Sequence, residues 1–381
     1  MIKFWLQDNE CTGCGMCANV CPVNAIQMVR DECGFLYPRV TGACIDCNLC
    51  RRKCEERLSQ SRNSDEPDTF AAWSVNEETR FNSTTGGLFS EIAESVYRLG
   101  GAVIGAKYGV DNLVYHTVTD QADELPLIRQ SKYVQSDANS IYKDAKQLLE
   151  TGRTVLFCGT PCQVAALNAF LKPKTYDNLI TVDFICRGVN SPKAYTAWLD
   201  EIEAKRRVRV SRVWFKYKEG GWKTSPRRTR IDFEDGTQQV LEGKDNLFMH
   251  GYLTSNLYIR PCCGRCDFKG VPRQADITLA DFWGIDPSLD DDKGTSLMLI
   301  NNPRGASVLE EIRNQIRLYQ RSFSEIEHGN VCFSDSVTVP PKSSDFLKEL
   351  DDGRFSDVLR KYTKLPLKKR LVKKMQKLLR K

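Results

Sequence analysis

The chain has 381 residues, 41% hydrophobic and 27% charged, which is enough apolar material for one small and one large folded domain. Its net charge of +6 is uneven: Arg360 to Lys381 holds eleven Lys/Arg and no acid, leaving residues 1–359 with 44 basic and 49 acidic side chains, a body that argues against nucleic acid as a partner. The start, MIKFWLQDNEC, lacks the apolar core of a signal peptide and no apolar run is long enough to cross a bilayer, so a cytoplasmic setting is expected, where sixteen cysteines point to metal ligation rather than disulfides.

Residues 1–55 contain two runs spaced C-x2-C-x2-C-x3-C: Cys11, Cys14, Cys17 and Cys21, then Cys44, Cys47, Cys50 and Cys54. Three cysteines two residues apart let a tight loop wrap one face of a cuboidal iron–sulfur cluster. In two-cluster ferredoxins the last cysteine of each run serves the other cluster. One 4Fe-4S cluster is therefore expected on Cys11, Cys14, Cys17 and Cys54, and a second on Cys44, Cys47, Cys50 and Cys21. Pro22 completes the C-P ending of the first run, whereas Glu55 follows Cys54. A pair of zinc knuckles is the rival reading, but zinc sites usually group ligands as separated pairs with His common, and this unit holds no His. Cys33 fits neither run and reads as a buried small side chain. Arg51, Arg52 and Lys53 lie inside the second run, where their charge either tunes a cluster or is simply solvated. Two clusters form a path for single electrons, and a flavin is the usual converter to a two-electron hydride source.

Residues 56–70 are polar and read as a linker. From 71 to 338 short β-rich runs alternate with helical patterns. AVIGAKY (102–108), TVLFC (154–158), LITVDFI (179–185), ADITLAD (275–281) and TSLMLI (295–300) read as strands. Leu88, Ile92, Val96 and Leu99 share one helical face, as do Ile141, Ala145 and Leu148. The fold expected is an α/β domain with a mixed or mostly parallel sheet and a β-rich insertion at 207–236, preceded by a small α+β ferredoxin domain. Its two parts are placed at about 71–155 and 156–338, with a carboxyl-terminal region at 339–381.

Within this domain FNSTTGGLFSEI (81–92) sets hydroxyls and two glycines before a helix, and TVLFCGTPCQVAAL (154–167) repeats the arrangement with Gly159 and Thr160. Helix starts of this kind attract phosphate, although Ser or Thr there also serves as a plain N-cap.

Taken in order, the two-cluster start, STTGG, SKYVQSD (131–137), GTPCQVAAL, DFICRG (183–188), RPCCGRCDF (260–268), ADITLADFWG and DKGTS (292–296) make the chain recognisable. It resembles the coenzyme F-420 hydrogenase/dehydrogenase beta subunit family, including bacterial relatives linked to surface-polysaccharide gene sets, from about residue 8 to about residue 300. The resemblance implies an FAD-containing iron–sulfur oxidoreductase subunit, with FMN the alternative flavin, moving electrons between a hydride carrier and clusters. It also implies a third 4Fe-4S cluster on Cys162, Cys186, Cys263 and Cys266. The residues agree in part, since Cys263 and Cys266 form a C-x2-C loop while Cys162 and Cys186 each follow a predicted strand. For Cys162 a redox-active thiol, paired with Cys158, is the competing reading. Cys158, Cys262 and Cys332 are left as structural. Flavin contacts fall, by resemblance, among Ser83, Thr85, Gly86, Gly87, Lys132, Thr160, Thr295 and Ser296, and Asp281 and Trp283 line the same pocket or simply belong to the core. Many relatives have Cys-His-Gly where this chain has Cys186-Arg187-Gly188, and Asn190 stands at the following proline position, which removes a titratable group from the site. His116, His250 and His328 form no constellation.

After Pro366, Leu367, Leu371, Val372, Met375, Leu378 and Leu379 fall on one helical face with eight Lys/Arg elsewhere. This tail suits either peripheral contact with an anionic membrane at its inner face or packing on protein. Three functions remain open: a redox enzyme with its own substrate site, an electron-transfer subunit serving a redox partner protein, and a thiol sensor or metal-binding adaptor.

Overall fold

The computed structural model describes residues 9–58 and 63–363. In the amino-terminal unit β1 (Ile26–Arg30) and β2 (Leu36–Val40) pair antiparallel, with Ile26 opposite Val40 and Arg30 opposite Leu36. Helices Met16–Val20 and Leu49–Glu56 carry Cys17 and, in the second, Cys50 and Cys54. The two cysteine loops share one backbone trace. Gly13 and Gly15 have φ of 66° and 79°, and the residues 33 positions later, Asp46 and Asn48, have φ of 48° and 57°. Glycine, Asn and Asp are the residues that adopt the left-handed region at least cost, so two different sequences support the same turn.

The large domain is built on nine strands: β3 (Asp68–Ser74), β4 (Ala102–Tyr108), β5 (Val114–Thr119), β6 (Ser136–Asp137), β7 (Val155–Cys158), β8 (Leu179–Phe184), β12 (Ile277–Asp281), β13 (Ser296–Ile300) and β14 (Ile316–Arg321). Their order is β14-β3-β13-β12-β8-β7-β4-β5-β6. The centre, β12-β8-β7-β4, is parallel, while β13, β3 and β14 on one side and β5 on the other join antiparallel. The sheet is thus mixed around a parallel core. Between β8 and β12 the chain makes a separate antiparallel sheet of β9 (Val210–Phe215), β10 (Arg228–Phe233) and β11 (Gln238–Glu242), where β alternation without helical periodicity is found in the sequence.

Successive residues of a strand point to opposite faces, and the two faces build separate cores. Val103, Leu156 and Val182 pack with Ile92 and Val96 of helix Leu88–Arg98. Ile104, Val155 and Phe157 pack with helices Ile141–Glu150 and Pro161–Leu171, and Met16 and Cys54 of the amino-terminal unit join this second core. Two expectations shift by a residue or more. Leu99 follows the end of its helix and is 66% exposed, and Leu149 rather than Leu148 is buried. Strand β3 begins at Asp68, so the last residues of the polar connection already lie in the sheet.

A third core of stacked aromatics, including Tyr195, Trp198, Phe215 and Phe248, ties the insertion to helices Pro192–Arg206 and Leu247–Ser255 and to carboxyl-terminal helices Ser343–Glu349 and Phe355–Thr363. The basic segment 367–381 lies outside the described residues. Among the described residues no helix is long and apolar enough to cross a membrane.

Candidate redox site

The carboxyl ends of β4, β7, β8 and β12 open onto one cavity of about 540 Å³, the edge of a parallel sheet where ligands characteristically bind. Cys162 enters this cavity from the first turn of helix Pro161–Leu171, which Thr160 and Gln163 cap reciprocally, and Cys186 from the loop two residues past β8. Cys263 and Cys266 arrive from a short 3-10 turn at Pro261–Arg265. The wall also includes Cys262 and, from the amino-terminal unit, Cys14. Burial raises the thiols of Cys162 and Cys186, the latter to about 11. A raised thiol argues against Cys162 as a nucleophile activated by its helix, and suits a site where a metal replaces the proton.

In the amino-terminal unit Cys17 has Cys14, Cys11 and Cys54, and after them Cys50, as electrostatic neighbours, and Cys50 has Cys21 and Cys47. The last cysteine of each run therefore sits with the other run. Cys11, Cys17 and Cys54 are buried, while Cys44 and Cys47 are exposed. Among the described residues no group of three or more His, Cys, Asp or Glu side chains forms a site for a single metal ion.

Two buried arginines join the units, and neither stands out in the sequence. Arg57, within the stretch read as a polar connection, is 4% exposed and donates from Nε to Cys54 Sγ at 3.4 Å. Arg260, fully buried in the large domain, donates to the Cys11 and Leu36 carbonyls, each at 3.0 Å. Gly13 is fixed by this crowding: a Cβ there would fall 2.5 Å from Gln135 Nε2 and 2.7 Å from the Leu36 carbonyl oxygen. Arg51 and Lys53 pair instead with Glu55 and Glu56, and Arg52 donates to the Cys47 carbonyl.

Of the residues marked by STTGG and its companions, Ser83, Thr85, Gly87, Lys132, Thr160 and Ser296 line the cavity, together with Asp281 and Trp283. Gly86 and Thr295 stand outside its wall. A Cβ on Gly86 would meet the Ala72 carbonyl oxygen at 2.6 Å and Ser296 Oγ at 2.7 Å, so packing against β3 and β13 already demands glycine. Thr295 donates its hydroxyl to the Leu289 carbonyl. The loop is braced by Lys218, which carries no signal in the sequence and whose ammonium donates to the carbonyls of Arg80, Thr85 and Lys293.

Lys132 Nζ donates to the carbonyls of Arg129 and Gln130, and burial with the nearby Arg212 charge lowers its pKa to about 7. His116 lines the cavity, stacked on Phe157, and burial holds its pKa at about 4. No hydrogen bond of ordinary geometry reaches either ring nitrogen, although the Cys158 backbone lies near enough to oppose the shift. Burial lifts the Cys158 thiol to about 12. Lys216, just past β9, pairs with Asp281 and lies 5.2 and 5.4 Å from the ring centres of Trp222 and Trp283, which stack on each other. Arg187, the residue after Cys186, turns to helix Leu247–Ser255: it donates to Asn256 Oδ1 at 2.7 Å and lies over Tyr252. A cation at a helix carboxyl end is favourable.

A ferredoxin-like unit set against a cysteine-lined crevice in an α/β domain defines an iron–sulfur redox protein. Residues 152–325 match the model for the carboxyl terminus of the coenzyme F420 hydrogenase/dehydrogenase beta subunit, and residues 6–27 match a 4Fe-4S binding domain. The large domain thus carries the region that defines the carboxyl terminus of that beta subunit, behind a 4Fe-4S binding domain at the amino end. Over 53 residues it is 30% identical to an uncharacterized ferredoxin of Methanocaldococcus jannaschii, covering 14% of this chain and 69% of the ferredoxin. A chain from the F420-reducing [NiFe] hydrogenase complex of Methanosarcina barkeri superposes with a TM-score of 0.49 at 17% identity, over 80% of this chain and 92% of that one.

Proposed function

We propose that this protein moves electrons between a hydride carrier and a redox partner protein through FAD and three 4Fe-4S clusters, held at Cys11/Cys14/Cys17/Cys54, at Cys21/Cys44/Cys47/Cys50 and at Cys162/Cys186/Cys263/Cys266. One observation carries this reading. A single cavity is walled by Cys14 of the amino-terminal unit, by the four large-domain cysteines and by Lys132 with the STTGG loop. That continuity is what a redox chain needs, and an adaptor or a structural metal site has no use for it.

The residues suit a flavin dinucleotide. The wall supplies two lysines (half-buried Lys132 and buried, Asp281-paired Lys216), hydroxyls from Ser83, Thr85 and Thr160, and a buried imidazole. Such groups serve an anionic pyrophosphate and a polar heteroaromatic ring. When bound, FAD would supply the conversion between two-electron and one-electron chemistry. The chain's own share is to hold and orient: Lys218 fixes the loop before helix Leu88–Arg98, Lys132 presents its charge, and Trp283 closes the wall. Exposed Cys44 and Cys47 mark the amino-terminal unit as the place where a partner protein exchanges electrons.

Anaerobic preparation tests the reading. Iron and acid-labile sulfide of about twelve each per chain, with one flavin, is expected from three cubane clusters. About eight irons without flavin would leave only a ferredoxin appendage and remove the proposal. Bleaching of bound flavin by a hydride donor with no partner present would favour an enzyme with its own substrate site over a subunit that only serves another, such as one in surface-polysaccharide synthesis.

A further inference from the structure

Arg57 is buried at the junction of the two units, and among the described residues no carboxylate pairs with it. A guanidinium taken out of water carries a desolvation cost that some anionic group has to offset. Its contacts name the group. Nε–H points at Cys54 Sγ, Nη1 donates to Thr12 Oγ1 at 3.2 Å, and the guanidinium lies 5.5 Å from the centre of the Phe268 ring, two residues past Cys266. Its electrostatic neighbours are Cys14, Cys54 and Cys162, thiols from both cysteine sets.

We propose that Arg57 is a shared positioning residue for two iron–sulfur centres, the one on Cys11, Cys14, Cys17 and Cys54 and the one on Cys162, Cys186, Cys263 and Cys266. It holds both potentials up and eases passage of an electron between the units. The inference rests on the cluster assignment of the preceding section. Reduction adds one negative charge to a centre, and a fixed cation with an N–H···S hydrogen bond stabilises the reduced state more than the oxidised one. In the step between the centres one electron leaves the donor and one arrives at the acceptor. No proton moves, because guanidinium stays charged throughout. Arg51, Arg52 and Lys53 do not share this role: Arg51 and Arg52 are exposed, Arg51 and Lys53 pair with Glu55 and Glu56, and solvent screens charges at the surface.

The test uses full-length protein reconstituted without oxygen, with each centre followed by EPR during a potentiometric titration. In Arg57→Gln the reduced fraction at fixed potential should fall about tenfold at the centre on Cys54, the scale of one lost charge-assisted hydrogen bond, which is about 59 mV for a one-electron couple, and by less at the centre on Cys162, where only the charge is lost. The centre served by Cys44, Cys47 and Cys50 should keep its potential. Arg57→Lys, which keeps the charge but loses Nε–H, should shift less. Should Arg57→Gln fail to load iron, wild-type protein labelled with 15N-arginine gives an independent reading, in which pulsed EPR of the reduced protein should show a nitrogen coupling through the hydrogen bond. A fully loaded Arg57→Gln with all potentials unmoved, or absence of the nitrogen coupling, overturns the proposal. Failure of the underlying cluster assignment shows separately, as wild-type iron well short of twelve.

Discussion

The guanidinium carbon of Arg260 lies 4.1 Å from the centre of the Tyr37 ring, so the amino-terminal unit closes around a side chain of the large domain. The same guanidinium supplies the donors for the Cys11 and Leu36 carbonyls, and both of those residues are buried. Arg260→Met fills the volume but leaves two buried acceptors unmet, at about 1–3 kcal/mol each. Urea unfolding of the apoprotein is expected to show a loss of about 2–6 kcal/mol. Arg260→Lys should recover little of it, since an ammonium cannot span both acceptors as the fork does. An unchanged urea midpoint would mean that the clasp contributes nothing.

Lys132 sets a pH dependence on anion binding. Its ammonium titrates at about 7, so it is charged below that pH and neutral above it in the free protein. A bound pyrophosphate favours the charged form and raises the pKa, so binding above pH 7 takes up a proton. FAD affinity of the apoprotein should be greatest below about pH 7 and fall by up to tenfold per unit above it. Lys132→Met should flatten this profile. Stability of the free protein runs the other way. Between about 7 and the ordinary lysine value of 10.5 the unfolded chain holds the extra proton, so Lys132 destabilises fully below pH 7 and its cost is relieved as pH rises through that window. A pH-independent FAD affinity in wild type would remove Lys132 from the anion site.

Much of this site was legible beforehand because spacing and strand ends are local properties. Four cysteines at fixed intervals specify a loop whatever surrounds it, and the hydrophobic runs at β4, β7 and β8 place Cys158, Cys162 and Cys186 at one sheet edge. The large-domain set needed the family resemblance as well, because Cys186 and Cys263 are brought together only by tertiary packing. Arg57, Arg260, Lys216 and Lys218 gave no signal. A lone basic residue in a polar stretch looks solvated, and only the fold shows that these four are buried. Gly86 packs closely on β3 and β13, and a glycine that serves ligand approach and one that serves strand packing look alike in a sequence.

Exposure separates the two amino-terminal cysteine sets. Cys44 and Cys47 are open to solvent, whereas Cys11, Cys17 and Cys54 are buried, Cys54 in the core shared with helix Pro161–Leu171. Oxidants and chelators reach exposed thiolates first. Timed air exposure of reconstituted protein should therefore remove about four irons in a fast phase and the rest slowly. Cys44→Ser should abolish the fast phase. Iron lost in a single phase would contradict the different burial of the sets.

The large-domain cavity is lined by seven cysteines, Cys158, Cys162, Cys186, Cys262, Cys263, Cys266 and Cys332, where a cubane needs four. Cys262 and Cys263 are adjacent, and their mutual interaction lowers the thiol of the first and raises that of the second, with Arg260 also holding Cys262 down. Cys263 is the one packed on the DFICRG loop: a Cβ placed on Gly188 would lie 3.1 Å from its Cβ and 3.6 Å from its Sγ. That contact puts Cys263 beside Cys186, while Cys262 is turned to the arginine. Serine at 162, 186, 263 or 266 is expected to lower iron by about four per chain, and Cys262→Ser to leave it unchanged. Should Cys262→Ser lose the iron and Cys263→Ser keep it, ligation moves one residue toward Arg260, and the charge of that arginine then acts on a ligand directly.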